Sequence, residues 1–185
     1  MASIQTLDDS DRRAVARWAT VCAEHVLPLF DADAAAVAEI RDALARARAY
    51  GLGERGAADE IRKRMVAVKA ASAATTPAGA AAARAVAQAA AVAHMGAHAL
   101  GAAAYAVRAV SLANRDRPDA ARDEIRWQLA QLSDRERSAL RLLPPLGSDS
   151  AGPLGEGLLS RGVLGATIRE IQAEVGSTSP WTTST

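Results

Sequence analysis

The stretch PAGAAAARAVAQAAAVAHMGAHALGAAAYAVRAVSLA, residues 77–113, decides the fold class. Alanine has the highest helix propensity and loses no side-chain entropy on ordering, so a run dominated by it favours helix. A strand would need Val, Ile, Thr and aromatic residues in quantity, and the run is poor in them. Thr76-Pro77 supplies a start signal, a capping hydroxyl followed by a proline in the first turn. As one helix these 37 residues would extend about 55 Å, longer than a domain of this size is wide. A break near His94-Met95-Gly96 is therefore predicted, dividing the stretch into two helices.

The same signals recur on both sides. A first helix from about Ser10 to Leu29 carries Val15, Trp18, Cys22 and Leu29 at helical spacing, with Asp8 or Ser10 as cap and Pro28 marking its end. Asp31 or Asp33 caps a second, with Val37, Ile40 and Leu44 on one face and Gly51 as its left-handed stop. A third starts near Ala57 and carries Ile61, Met65 and Val68. Beyond the polar turn Asn114 to Pro118, a sixth helix runs through Ala121, Ile125, Leu129 and Leu132. Ser133 and Glu136 form a capping box for a short seventh, stopped by Pro144-Pro145. The expectation is an all-α bundle of about six or seven helices over residues 1–146. A Gly/Ser-rich linker follows over 147–157, then a possible C-terminal helix over 158–175 and a disordered tail over 176–185. Trp181 in that tail is available to dock on a neighbouring surface.

Composition narrows the function classes. Twenty of the 22 basic residues are Arg, which together with the alanine excess implies a GC-rich, bacterial coding sequence. The net charge of +1 gives no global field for nucleic acid or for an anionic membrane. Charge is uneven along the chain, however. Residues 1–40 hold three Arg against seven acids, and residues 41–69 hold eight basic residues against four acids. Solvated faces of neighbouring helices account for this; a basic patch for an acidic protein partner is the alternative, with Arg62, Lys63 and Lys69 as its candidates. One cysteine permits no internal disulfide. The N-terminus lacks signal-peptide features and no apolar run is long enough to span a bilayer, so a soluble, cytoplasmic protein without a cofactor is expected.

Three segments resemble one known family. Ala16 to Phe30, ARWATVCAEHVLPLF, is similar to the first helix of the Imm-five-like family of bacterial immunity proteins. Ala80 to Val110 resembles that family's alanine-rich hallmark, most specifically in the string from His98 to Tyr105. Ile125-Arg126-Trp127-Gln128 resembles its late Trp-Gln element. The resemblance covers roughly residues 12–130 and implies an α-helical domain that protects its producing cell by binding a cognate protein toxin. Residues from about Ser133 onward inherit nothing from it.

Chemistry-bearing residues are few, and no catalytic residue is assigned. His94 and His98 stand at i and i+4, which on a continuous helix share a face with Gly101, Tyr105 and Arg108. With His25 as a conceivable third ligand they define an alternative, a small metal-dependent helical-bundle enzyme. The metal reading lacks a nearby carboxylate, and a break at Gly96 would remove the spacing. Hydrogen bonding of these histidines across the bundle is the simpler expectation. Cys22 has His25 three residues on but lies in the Val15/Trp18 apolar stripe, so a small buried residue is expected rather than a thiolate nucleophile. Trp127 lies about 200° around its helix from Ile125, which leaves it either against a second layer or exposed as an interface anchor. A homodimer joined through the Ala/Gly-rich helix is a further alternative.

Overall fold

In the computed structural model, residues 3–177 are described and contain eight α-helices, with no strand among them. The helices are α1 (Asp9–Val26), α2 (Ala34–Gly51), α3 (Ala57–Ala70), α4 (Pro77–Ala91), α5 (His98–Ala113), α6 (Ala120–Ala130), α7 (Asp134–Leu140) and α8 (Gly162–Gly176). Single 3₁₀ turns at Ile4–Thr6, Leu27–Leu29, Ala71–Ala73 and Leu158–Ser160 fill corners between them. Trp181 and the rest of the expected tail beyond Ser177 lie outside the described residues.

Most boundaries follow local chemistry. Asp8 caps α1 by accepting from the Asp11 N–H at 2.7 Å, and Asp33 caps α2 by accepting from Ala36 N–H at 2.9 Å. Asp31, the other candidate, accepts instead from the Thr75 hydroxyl at 3.0 Å and ties the approach to α4. Thr76 caps α4, and Ser133 with Glu136 forms the reciprocal box that opens α7. The predicted break falls where expected: α4 ends at Ala91 and α5 begins at His98. The glycine that terminates α2 is not Gly51, which is still helical, but Gly53 at φ +81°. Its N–H returns to Tyr50 O at 3.0 Å, a conformation that a residue with a Cβ resists.

Helix α5 lies at the centre and packs against α1, α4, α6 and α8. It is buried nearly all round, from Ala99 to Val107 and at Ala109, as a helix without a polar face must be. Its methyl-sized side chains let α4 approach closely through Ala82, Ala85, Val86 and Ala89. Larger groups come from Leu100 and Tyr105 of α5 itself and from the periphery: Trp18 from α1, Ile40 from α2, and Leu164, Ile168 and Ile171 from α8. These residues belong to one hydrophobic cluster, which Leu154 also joins.

Helix α3 reverses the orientation that its apolar spacing implies. Its inward face is Glu60, Ala67, Ala70 and Ala71, while Met65 and Val68 are 52% and 46% exposed. Alanine fills the space against the bundle. Glu60, 2% exposed, is held by Arg46 of α2 (Nε–Oε2 3.4 Å) and by Arg55 (Nη1–Oε1 3.3 Å). An acid in the first turn also complements the helix dipole.

The Gly/Ser-rich stretch 147–157, expected as a linker, is fastened to the N-terminus. Gln5 donates from Nε2 to Asp149 Oδ2 at 2.7 Å and to Ala151 O at 2.8 Å, and its Oε1 accepts from Leu154 N–H at 3.0 Å. Leu154 is fully buried, and Gln172 of α8 clasps Pro144 O and Leu146 N–H. The same N-terminal turn secures the start of α5, where Gly96 and Ala97 donate to Thr6 O and Gln5 O. Replacing Gln5 with Ala removes three hydrogen bonds and strands the buried Leu154 N–H, at an expected cost of about 2–4 kcal/mol. Hydrogen exchange supplies the local readout: the Leu154 amide should exchange faster in the variant, and unchanged protection there contradicts this role.

Candidate functional site

Three places hold the residues singled out in the sequence. The first is the outward face of α3. Because Glu60, Ala67 and Ala71 turn toward the bundle, residues 100–200° around the helix from them turn to solvent. Arg62, Met65 and Lys69 fall in that sector, with Val68 at its edge, and all four are exposed. Lys63 is exposed further round the helix, about 160° from Met65 at 100° per residue. Arg62 pairs with Asp59, whereas Lys63 and Lys69 have no ion-pair partner among the described residues. The result is an exposed apolar pair with Arg62 and Lys69 along one side, on the far side of the helix from Glu60, Ala67 and Ala70.

The second place surrounds Trp127 on α6. Its ring stacks on His25 of α1, with centroids 3.7 Å apart and planes inclined by 21°. His25 Nδ1 lies 3.0 Å from Glu124 Oε2, and Gln128 Nε2 donates to Glu124 Oε1 at 2.9 Å and to Ala103 O at 3.2 Å. The Trp18 indole N–H donates to Gln128 O at 2.9 Å, so the cluster continues into the core. Trp127 is therefore half-buried against a neighbouring helix, with one edge presented outward. Cys22 is wholly buried, and burial, reinforced by Glu124, raises its thiol pKa well above the ordinary value. It packs, and a neutral buried thiol is no nucleophile.

The third place is the break between α4 and α5. His94 lies in the turn and His98 opens α5, so the two do not share one continuous helix. Both nevertheless line a cleft of about 400 Å³ between that turn and the 152–159 segment. His98 Nδ1 meets Gln88 Oε1 of α4 at 2.8 Å, the cross-bundle hydrogen bond expected of it. Gly101 leaves room for that amide: a Cβ there would sit 2.3 Å from Gln88 Oε1 and displace it. Burial, with His94 adding its field, lowers the His98 pKa to about 4. His25 is not a third member of this group. The His94 turn is tied to residues 5–7 before α1, and α1 advances about 24 Å from Asp9 to His25. Among the described residues no three His, Cys, Asp or Glu side chains come together to hold a metal ion.

Some groups carried no sequence signal strong enough to single them out. Gln88 is the lone amide in an alanine tract, which in retrospect is a signal. Glu124 and Glu60 read as surface acids, and only the packing shows them buried. Among the described residues no helix is long and apolar enough to cross a membrane. Residues 5–135 match the family model described as "Imm-5 like putative immunity protein". Comparison with curated proteins and with solved structures gives no match.

His98 makes stability depend on pH with a definite sign. Its pKa of about 4 in the fold lies below the unfolded value of 6.5, so below pH 6.5 the unfolded chain takes up a proton that the folded chain refuses. The contribution is complete above pH 6.5 and declines as pH falls toward 4, by up to about 3 kcal/mol. Denaturant melts of the native chain and of His98→Gln should therefore differ most at neutral pH and converge toward pH 4. A difference independent of pH contradicts a buried neutral imidazole.

Proposed function

Because the chain belongs to the Imm-5-like immunity-protein family, we propose that it is a non-catalytic binding protein that neutralises a cognate bacterial toxin by occluding one of its surfaces. Occlusion requires a preformed, recognisable face and no reactive group. The observation that carries this reading is the outward face of α3, where Met65 and Val68 are exposed beside Arg62 and Lys69, with Lys63 exposed further round the helix.

Apolar area left in water is a cost that a partner removes, and cations at its edge attract an acidic surface and orient it during approach. The fitting partner is a toxin with an acidic rim around an apolar centre, met in the cytoplasm of the producing cell. The helix is ready for such a role. Its grip on the bundle uses alanines and the Glu60 ion pairs, so binding at the outer face needs no refolding. The His25–Trp127 stack is a second rigid feature that a large partner would reach from another side.

The test is protection of a bacterial host expressing the toxin encoded immediately beside this gene. The native chain should restore growth. A triple variant, Lys63→Glu, Met65→Asp and Lys69→Glu, should bind that toxin at least about 100-fold more weakly. Its melting temperature should stay within about 3 °C of the native chain, because all three side chains are in solvent. Failure of the native chain to protect sinks the immunity reading. Full protection by the triple variant places the binding face elsewhere.

A further inference from the structure

The cleft at the α4–α5 break has a chemistry that neither the packing nor toxin binding uses. Its polar lining comes from Gln88, His94, His98 and Tyr105, with no acidic side chain and no Lys or Arg contributing. Met95, Pro153 and Leu158 supply apolar walls, and Leu158 stands 67% exposed. Its volume, about 400 Å³, lies in the range of small-molecule sites.

Several polar atoms there lack protein partners. When His98 Nδ1–H donates to Gln88 Oε1, the His98 Nε2 lone pair and the Gln88 amide N–H groups are both left over. Tyr105 is buried, yet its hydroxyl has no hydrogen-bond partner among the described residues. Donors and an acceptor that open into one cleft without protein partners can be matched together by an occupant that supplies both. The arrangement is also held in place: Gln88 lies against the bare Cα of Gly101, where a methyl group would collide with its Oε1.

We propose that this cleft binds a neutral, planar ligand with an amide-type donor–acceptor edge, of the aromatic carboxamide or nucleobase class. The ligand's N–H would donate to His98 Nε2, and its carbonyl would accept from Gln88 or Tyr105. Its ring would lie against the apolar walls. An ionic ligand is disfavoured, because no lining side chain carries a fixed opposite charge to offset its desolvation. This site is independent of the α3 face and stands whether or not the chain neutralises a toxin.

Benzamide is the probe, with benzoate, benzylammonium and Zn²⁺ as the comparison set, each titrated while the His98 and Tyr105 ring resonances are followed by NMR. Benzamide should shift both residues saturably, with Kd on the order of 1 mM for so small a ligand. Benzoate and benzylammonium should bind at least tenfold more weakly. Gln88→Leu should weaken benzamide tenfold or more. Gly157→Trp is the second variant, because Gly157 lines the cleft and a Cβ there meets no atom within 4 Å, leaving the indole to extend into the cleft. It should block binding while leaving the His98 pKa in place. The proposal is overturned if no probe saturates, if benzoate binds as well as benzamide, or if Gly157→Trp binds normally. Stoichiometric Zn²⁺ binding dependent on both His94 and His98 would also overturn it, by assigning the cleft to a metal.

Discussion

A central helix that is buried on nearly every side, mostly through alanine and glycine, is the constraint on which the rest of this structure depends. Helix α5 has almost nothing to offer its neighbours except close approach, and α4 answers it with alanines of its own. Such an interface gains dispersion from proximity but has few knobs to fix its register. Directional polar bonds supply what shape does not. Trp18 and Gln128 lock α1 and α6 to the α5 carbonyl at Ala103, His98 locks α5 to Gln88 of α4, and Gln5 pins the 149–154 segment. Those of Trp18, Gln128 and Leu154 are buried, so a slip along the helix axis would leave desolvated polar atoms unpaired.

Caps and breaks were legible in the sequence because their causes are local. Thr76-Pro77, Ser133 with Glu136, and the excess length of residues 77–113 each announce a boundary within a few residues of themselves. The direction in which α3 faces was not legible. Periodicity reports that Ile61, Met65 and Val68 share a side, but not which side meets the core. Where alanine is the preferred filler, the more apolar side need not face inward. The role of 147–157 was equally hidden, because Gln5 reaches Leu154 across 149 positions and Gly/Ser composition says nothing about such contacts. Of the candidate site residues, the sequence identified the histidines and Trp127 but not their partners. Glu124 and Gln88 are ordinary in sequence and become specific only through what they touch.

The places that bear chemistry differ in physical character. The α3 face is cationic and apolar, and charge there acts at a distance through solvent. The cleft beside His98 has no charged side chain in its lining, so short-range hydrogen bonds and shape discriminate within it. The His25–Trp127–Glu124 cluster lies between these extremes, with a buried carboxylate behind an exposed imidazole. A molecule that suits one of these surroundings is poorly suited to another, and their occupants would not compete by chemistry.

The inward anchoring of α3 by Glu60 and alanine has an evolutionary consequence. Positions 62, 63, 65, 68 and 69 carry almost none of the stabilising contacts, so they can change in charge, size and polarity without disturbing the bundle. A lineage facing a succession of rival molecules could therefore re-specify this helix repeatedly on an unchanged scaffold. Drift would be fast on one side of a single helix and slow one half-turn away.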